Sequence, residues 1–188
     1  MPPPRDEIVS AARRCFAQYG VEKTTMQDIA REAGIGRTGV YRLGVTRAEL
    51  TDAAILARLR ELGEEIRPVA AREAPFAEVV LEASIATVDI ARSDPELQHL
   101  LATSASVSLH RLLTSHTSMM QAFVLDVFGP MLARARVAGQ VRADVDDDRI
   151  VEWLRAVYLM LLLREDLDTA GERALLTDFV LPSLVRSP

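Results

Sequence analysis

Arg37, Thr38, Gly39, Tyr41 and Arg42 bring two guanidiniums, two hydroxyls and one bare backbone position into a single short stretch. Guanidiniums and hydroxyls bind phosphate oxygens, and a guanidinium can also fork onto the paired acceptors of a guanine edge. No catalytic set competes with that chemistry. The sequence offers no Ser, His and Asp order, no paired-carboxylate motif and no phosphate loop, so it gives catalysis no support. His99, His110 and His116 lack the spacing of four with a carboxylate that a helical zinc site requires. Asp146, Asp147 and Asp148 lack the oxygen-rich loop and terminal glutamate of a calcium site, and read instead as a helix cap. No metal and no cofactor are expected. The sole cysteine, Cys15, sits among apolar neighbours and reads as an inert core residue.

For Arg37 to Arg42 to act together, something must hold them. Thr25 to Leu43 compresses a helix, a glycine-containing turn and a second helix into one helix-turn-helix pattern. Ile29, Ala33, Ile35, Val40 and Leu43 would form its small core, with Ala30 small at the crossing and Gly34 taking the left-handed conformation of the turn. Thr25 with Asp28, and Thr46 with Glu49, are capping-box signatures opening two helices. Gly34-Ile35-Gly36-Arg37-Thr38-Gly39 also spells a dinucleotide-binding fingerprint. It follows an amphipathic helical segment rather than a buried strand, which removes that reading.

The rest of the chain is patterned the same way. Spacings of three and four recur throughout and sustained alternation is absent, predicting an all-α chain of about nine helices. Ile8, Ala11, Ala12, Cys15, Phe16 and Tyr19 mark a first helix closed by Gly20. The helix opening at Thr46 runs to Pro68, and one starting near Pro75 is apolar nearly all round, as a central helix should be. Ser93-Asp94-Pro95 ends it, and the segment from Thr103 to Ser118 has no clear pattern. A long helix from about Ser118 to Ala138 carries Gly129-Pro130, which predicts a kink. Two strongly apolar helices close the sequence. The division expected is a head over 1–47 and a larger helical body over 48–188.

Charge supports that division. Of 188 residues, 49% are apolar and 26% charged, with a net charge of -5, an ordinary balance for a globular protein. Residues 1–47 hold eight Arg and Lys against five Asp and Glu, while the remainder holds fourteen against twenty-two. A basic head on an acidic body presents the head to a polyanion and repels it elsewhere. The longest apolar run, Ala156 to Leu163, is far short of the roughly 20 residues of a membrane span. The opening residues lack an export pattern, so no membrane association and a cytoplasmic location are expected.

Ile8 to Phe16, Gly20, Thr24 to Ala30, Ala33-Gly34-Ile35, Val40-Tyr41 and Glu49-Leu50 match, in order and spacing, the N-terminal pattern of the TetR family of transcriptional regulators. The resemblance covers roughly residues 8–54. It implies that Thr25, Tyr41 and Arg47 touch phosphates, that Arg37, Thr38 and Gly39 face base edges, and that Arg42 is a further phosphate ligand. One departure stands out: Gly44 occupies a place where the family usually carries an aromatic ring, and Arg47 replaces a lysine.

The resemblance also implies a homodimer joined through the last two helices by Leu154, Val157, Tyr158, Leu161, Leu176, Phe179 and Val180. A dimer suits the chemistry, since one short recognition helix contacts too few bases and two related heads read both halves of a pseudo-palindrome. A pocket for an unidentified small-molecule effector would be lined by His99, His110, Leu112, Met119, Met120, Phe123 and Trp153. The expected function is that of a ligand-responsive regulator, most simply a repressor, on double-stranded DNA. The alternative is a helical ligand-binding or protein-interaction module whose head has degenerated.

Overall fold

The computed structural model describes residues 5–36, 39, 44–103, 118–164 and 166–185. They are helical almost throughout. The elements are α1 (Arg5–Tyr19), α2 (Met26–Glu32), α3 (Arg47–Ala70), α4 (Phe76–Ser93), α5 (Pro95–Thr103), α6 (Ser118–Val137), α7 (Asp147–Leu162), α8 (Thr169–Leu175), a π-helical turn (Leu176–Val180) and α9 (Leu181–Leu184). Among the described residues the only β pairing is an isolated bridge between Val141 and Val185.

The chain groups into two compact units, Met1–Leu59 with Asp94–Ser115, and Arg60–Ser93 with His116–Pro188. The division expected from sequence follows the end of the motif at residue 47. In three dimensions the first unit also takes in the start of α3 and the distant α5.

The first unit is built on the apolar face of α1, where Ile8, Ala11, Ala12, Cys15 and Phe16 are buried as their spacing predicts. Gly20 closes α1 at φ +79, and its amide donates to the Phe16 carbonyl at 2.8 Å. α5 joins this unit through charge-assisted hydrogen bonds. Arg13 forks onto Glu96 at 2.7 and 2.9 Å, and Arg58 forks onto Asp94 at 3.1 and 2.6 Å. Asp94 also caps α5, accepting from the Leu97 amide at 2.7 Å. The Arg58 guanidinium, helped by that amide, holds the Asp94 carboxyl below the usual carboxylate range.

The second unit has α4 as its central helix, with Val79, Val80, Ala83, Ser84 and Val88 buried. α7 packs on it, and where they meet Ser84 Oγ and Tyr158 OH lie 2.9 Å apart. Six of the positions expected at a dimer interface, Leu154, Val157, Tyr158, Leu161, Leu176 and Val180, are buried inside this unit of the single chain. Their strong apolar pattern is that of this unit's own core. Phe179 alone among the seven stays open, at 71% exposure.

Two of the long helices run through prolines. α3 passes Pro68 and ends at Ala70, whose carbonyl accepts from Arg134 Nη2 at 2.7 Å. A proline in the last turn forfeits only one amide, and the guanidinium supplies a partner at the helix end. α6 likewise continues through Gly129-Pro130. Ahead of Pro182 the helix widens into the π turn, where the Leu181 amide reaches back to Leu176.

Candidate nucleic-acid interface

α1 and α2 are set by the connector between them. Buried Thr24 donates its hydroxyl to the Gly20 carbonyl at 2.7 Å, fixing the connector against the end of α1. Thr25 then caps α2. Its backbone amide donates to Asp28 Oδ2 at 3.0 Å, and the Asp28 amide donates to Thr25 Oγ1 at 3.2 Å, completing the reciprocal box. The Thr25 hydroxyl donates to the same carboxylate at 2.6 Å and, first among several causes, depresses the Asp28 pKa. Thr25 is exposed, as a phosphate ligand must be, yet its hydroxyl proton is already engaged.

The turn is a complete Schellman closure. The Ile35 amide donates to the Ala30 carbonyl at 2.9 Å, and the Gly34 amide to Arg31 at 3.1 Å. Gly34 takes φ +66, the left-handed conformation its position demands. This closure sets the direction in which the chain leaves α2. Ile29 and Ala30 are buried at the crossing, as expected.

Beyond the turn, Gly39 donates its amide to the Gly36 carbonyl at 2.7 Å. A Cβ on Gly39 would stand 3.3 Å from Ile35 Cβ. The family resemblance implies Gly39 at base edges, and the direction a side chain would take from it faces Ile35. Glycine serves close packing there. Arg37, Thr38, Tyr41 and Arg42, with Val40 and Leu43, lie outside the described residues.

Arg47, expected on a phosphate, opens α3 behind a capping box in which Thr46 and Glu49 exchange hydrogen bonds at 2.7 and 3.2 Å. Its guanidinium turns back to the connector. Nη1 donates to the Glu22 carbonyl at 2.8 Å and to the Thr24 carbonyl at 3.5 Å, and Nη2 to Glu22 Oε2 at 3.2 Å.

Of the expected effector-lining residues, the side chains of His99, Phe123 and Trp153 are described. His99 is in the first unit, where its Nε2 lies 3.1 Å from the Phe16 carbonyl. A carbonyl only accepts, so Nε2 carries the proton and His99 braces the end of α1. Phe123 and Trp153 are in the second unit. Phe123 packs on Gly63, and half-exposed Trp153 donates its indole N–H to Ser183 Oγ at 3.0 Å. His110 and Leu112 lie outside the described residues, as do the side chains of Met119 and Met120. Burial raises the Cys15 thiol pKa, which keeps it an unreactive thiol.

Sequence reasoning missed two parts of this region. Exposed Lys23, on the connector, borders an open groove with Gln18, Tyr19, Asp28 and Arg31. It stands two residues before the cap of α2, a basic signal readable in the sequence. The bracing by α5 carried no such signal, since Arg13 and Glu96 are 83 residues apart.

Residues 8–54 match the family model described as bacterial regulatory proteins, tetR family. An uncharacterized HTH-type transcriptional regulator of Mycobacterium tuberculosis, Rv1255c, is 28% identical, covering 94% of this chain and 83% of its own. SmeT, the repressor of the Stenotrophomonas maltophilia multidrug efflux pump SmeDEF, is 25% identical with a TM-score of 0.56, covering 98% of this chain and 91% of its own. The fold is also similar to Thermus thermophilus FadR, a TetR-family repressor solved with lauroyl-CoA. There the TM-score is 0.71 at 21% identity, covering 98% and 97% of the two chains. The match to the family model falls on the same α1, connector, α2 and turn that the hydrogen bonds above hold in place, and the likeness in fold extends over nearly the whole chain. Residues 8–54 of this chain are thus those of the tetR family of bacterial regulatory proteins, and the fold around them is similar to solved tetR-family repressors.

Proposed function

We propose that this chain acts as a homodimeric repressor whose first unit reads one half of a pseudo-palindromic operator and whose second unit receives a small-molecule effector. The observation that carries this reading is the joint between α2 and the residues after it. A capping box at one end, a Schellman closure at the other and a glycine at φ +66 aim the chain leaving α2 along one path. In the sequence, Arg37, Thr38, Tyr41 and Arg42 come directly after that turn. A rigid presenting element is what direct readout requires, because phosphate contacts set register and only a fixed register lets a guanidinium find its base.

Gly44 fits the same reading. It takes φ +63, a conformation that an aromatic residue would adopt only under strain. Glycine therefore meets a backbone requirement there, and no decay of the head need be invoked.

Dimerisation is supported by a surface the core leaves over. Trp153, Ala156 and Met160 lie along one side of α7 and Leu163 stands at its C-cap, all exposed, and Phe179 is open on the π turn after α8. A contiguous apolar stripe at helical spacing favours a second copy of the chain as its cover. Effector binding would then repress or release by differential affinity, shifting the population between a pair of heads that matches the duplex and one that does not.

Gel-shift titration on duplex DNA from upstream of the chain's own coding region tests the reading. The expected result is sequence-dependent binding with a steep salt dependence, abolished by Arg37→Ala with Tyr41→Ala. Binding indifferent to sequence, or to that double variant, would reject it.

A further inference from the structure

We propose that Arg47 is a positioning residue, a strap tying the start of α3 to the connector between α1 and α2, and that it takes no part in holding DNA phosphate. The proposal rests on the DNA-binding reading above and departs from the role the sequence suggests for this arginine.

Geometry carries the argument. The guanidinium spans three acceptors on one short segment, namely the carbonyls of Glu22 and Thr24 and the carboxylate of Glu22. These residues immediately precede Thr25, the cap of α2. Buried Thr24 is bonded in turn to Gly20 at the end of α1, so the strap reaches the start of α2 and the end of α1 through one residue. On its other side Arg47 is fixed to α3, where the Thr51 hydroxyl donates to the Arg47 carbonyl at 2.9 Å. Buried Leu50, one turn on, anchors the same end of the helix.

Among the described residues, a Cβ at Gly44 would find no atom within 4 Å, so Gly44 adds no packing of its own to the joint. Arg47 supplies the coupling. A phosphate approaching this guanidinium would meet the Glu22 carboxylate 3.2 Å from Nη2, a like charge placed where an anion would bind. Capturing the phosphate would also leave two carbonyls without their donor. A planar fork suits the three acceptors, whereas a lysine ammonium is a single point and cannot span them.

The test uses the full chain in two measurements. In the free protein, amide exchange is followed at Thr24 and Leu50, whose hydrogen bonds border the strap. Arg47→Ala and Arg47→Lys are both expected to speed exchange there by about tenfold, with the α7 amides unchanged as a control on folding. On the upstream duplex, both variants should weaken binding with the salt slope intact. A phosphate ligand behaves differently: Arg47→Lys would keep it, and Arg47→Ala would lower the slope by about 0.9 for each phosphate no longer neutralised. Unchanged exchange at Thr24 and Leu50, or a reduced slope, overturns the proposal. Should the wild type ignore the duplex altogether, the DNA-binding reading fails and the exchange rates alone decide the strap.

Discussion

Gly63 lies beneath the ring of Phe123: a Cβ built on Gly63 would stand 2.9 Å from Phe123 Cε2 and 3.2 Å from Val127 Cγ2. A residue expected to line an effector pocket thus fills the space that glycine leaves on α3. Gly63→Ala tests the fit. Alanine favours a helix by about 1 kcal/mol over glycine, while overpacking costs about 1 to 3 kcal/mol. A net loss of stability is expected in urea denaturation, and it should shrink when Phe123→Leu is added. A stabilised Gly63→Ala variant would show that the ring yields freely.

What the sequence revealed here was local. The capping boxes at Thr25 and Thr46, the Gly34 turn and the buried face of α1 all rest on residues close together in the chain, and each is found as expected. The motif was legible because its geometry is enforced by hydrogen bonds of short sequence separation. What failed to show was assignment across distance. An apolar stripe in α7 reads the same whether a neighbouring helix or a second chain covers it, so Leu154 and Leu161 looked like interface residues and are core. The ties made by Arg47 stayed hidden for a related reason. A cation at a helix start suits a phosphate by charge alone, and only coordinates place the Glu22 and Thr24 carbonyls beside it.

The Arg58–Asp94 pair makes the first unit sensitive to acid. Asp94 is buried and its pKa is lowered in the folded chain, mainly by the Arg58 hydrogen bonds. A carboxylate whose folded pKa lies below its unfolded value stabilises fully above the unfolded pKa, about 3.9, and loses that contribution as pH falls further toward the folded one. Thermal melts of the wild type should therefore lose stability below about pH 4 more steeply than melts of Asp94→Asn. Parallel curves for the two proteins would remove the pair from the acid response.

In the second unit the Ser84–Tyr158 hydrogen bond has a direction. Ser84 Oγ donates to the Val80 carbonyl at 2.6 Å, so its single proton is spent and the Tyr158 hydroxyl, 2.9 Å away, must be the donor. Tyr158→Phe removes the donor and leaves serine bonded to Val80, at a cost of about 1 kcal/mol. Ser84→Ala strands a buried phenol and costs more, about 1 to 3 kcal/mol. Burial already pushes the Tyr158 pKa above its ordinary value, so ionisation offers the stranded group no relief at neutral pH. Equilibrium unfolding of the two variants checks the order, and a costlier Tyr158→Phe would reverse the donor assignment.

The dimer proposed above rests on the open side chains rather than on the buried ones beside them, and that distinction can be measured. Phe179 is 71% exposed and Leu163 54%, so a charge at either position meets water in the isolated protomer and leaves its core untouched. At an interface the same charge would be desolvated against an apolar face, which it avoids unless paired. Phe179→Glu with Leu163→Glu should convert a dimer to a folded monomer in sedimentation, with helical content and melting cooperativity retained. Leu161→Glu, by contrast, places its charge at a position of 0% exposure and should unfold the chain at any concentration. A wild type that sediments as a single chain, or a double variant that still associates, would move the interface away from this stripe. The operator reading would then need another way to pair its heads, because two recognition elements set one helical turn apart, about 34 Å, must be held by some common surface.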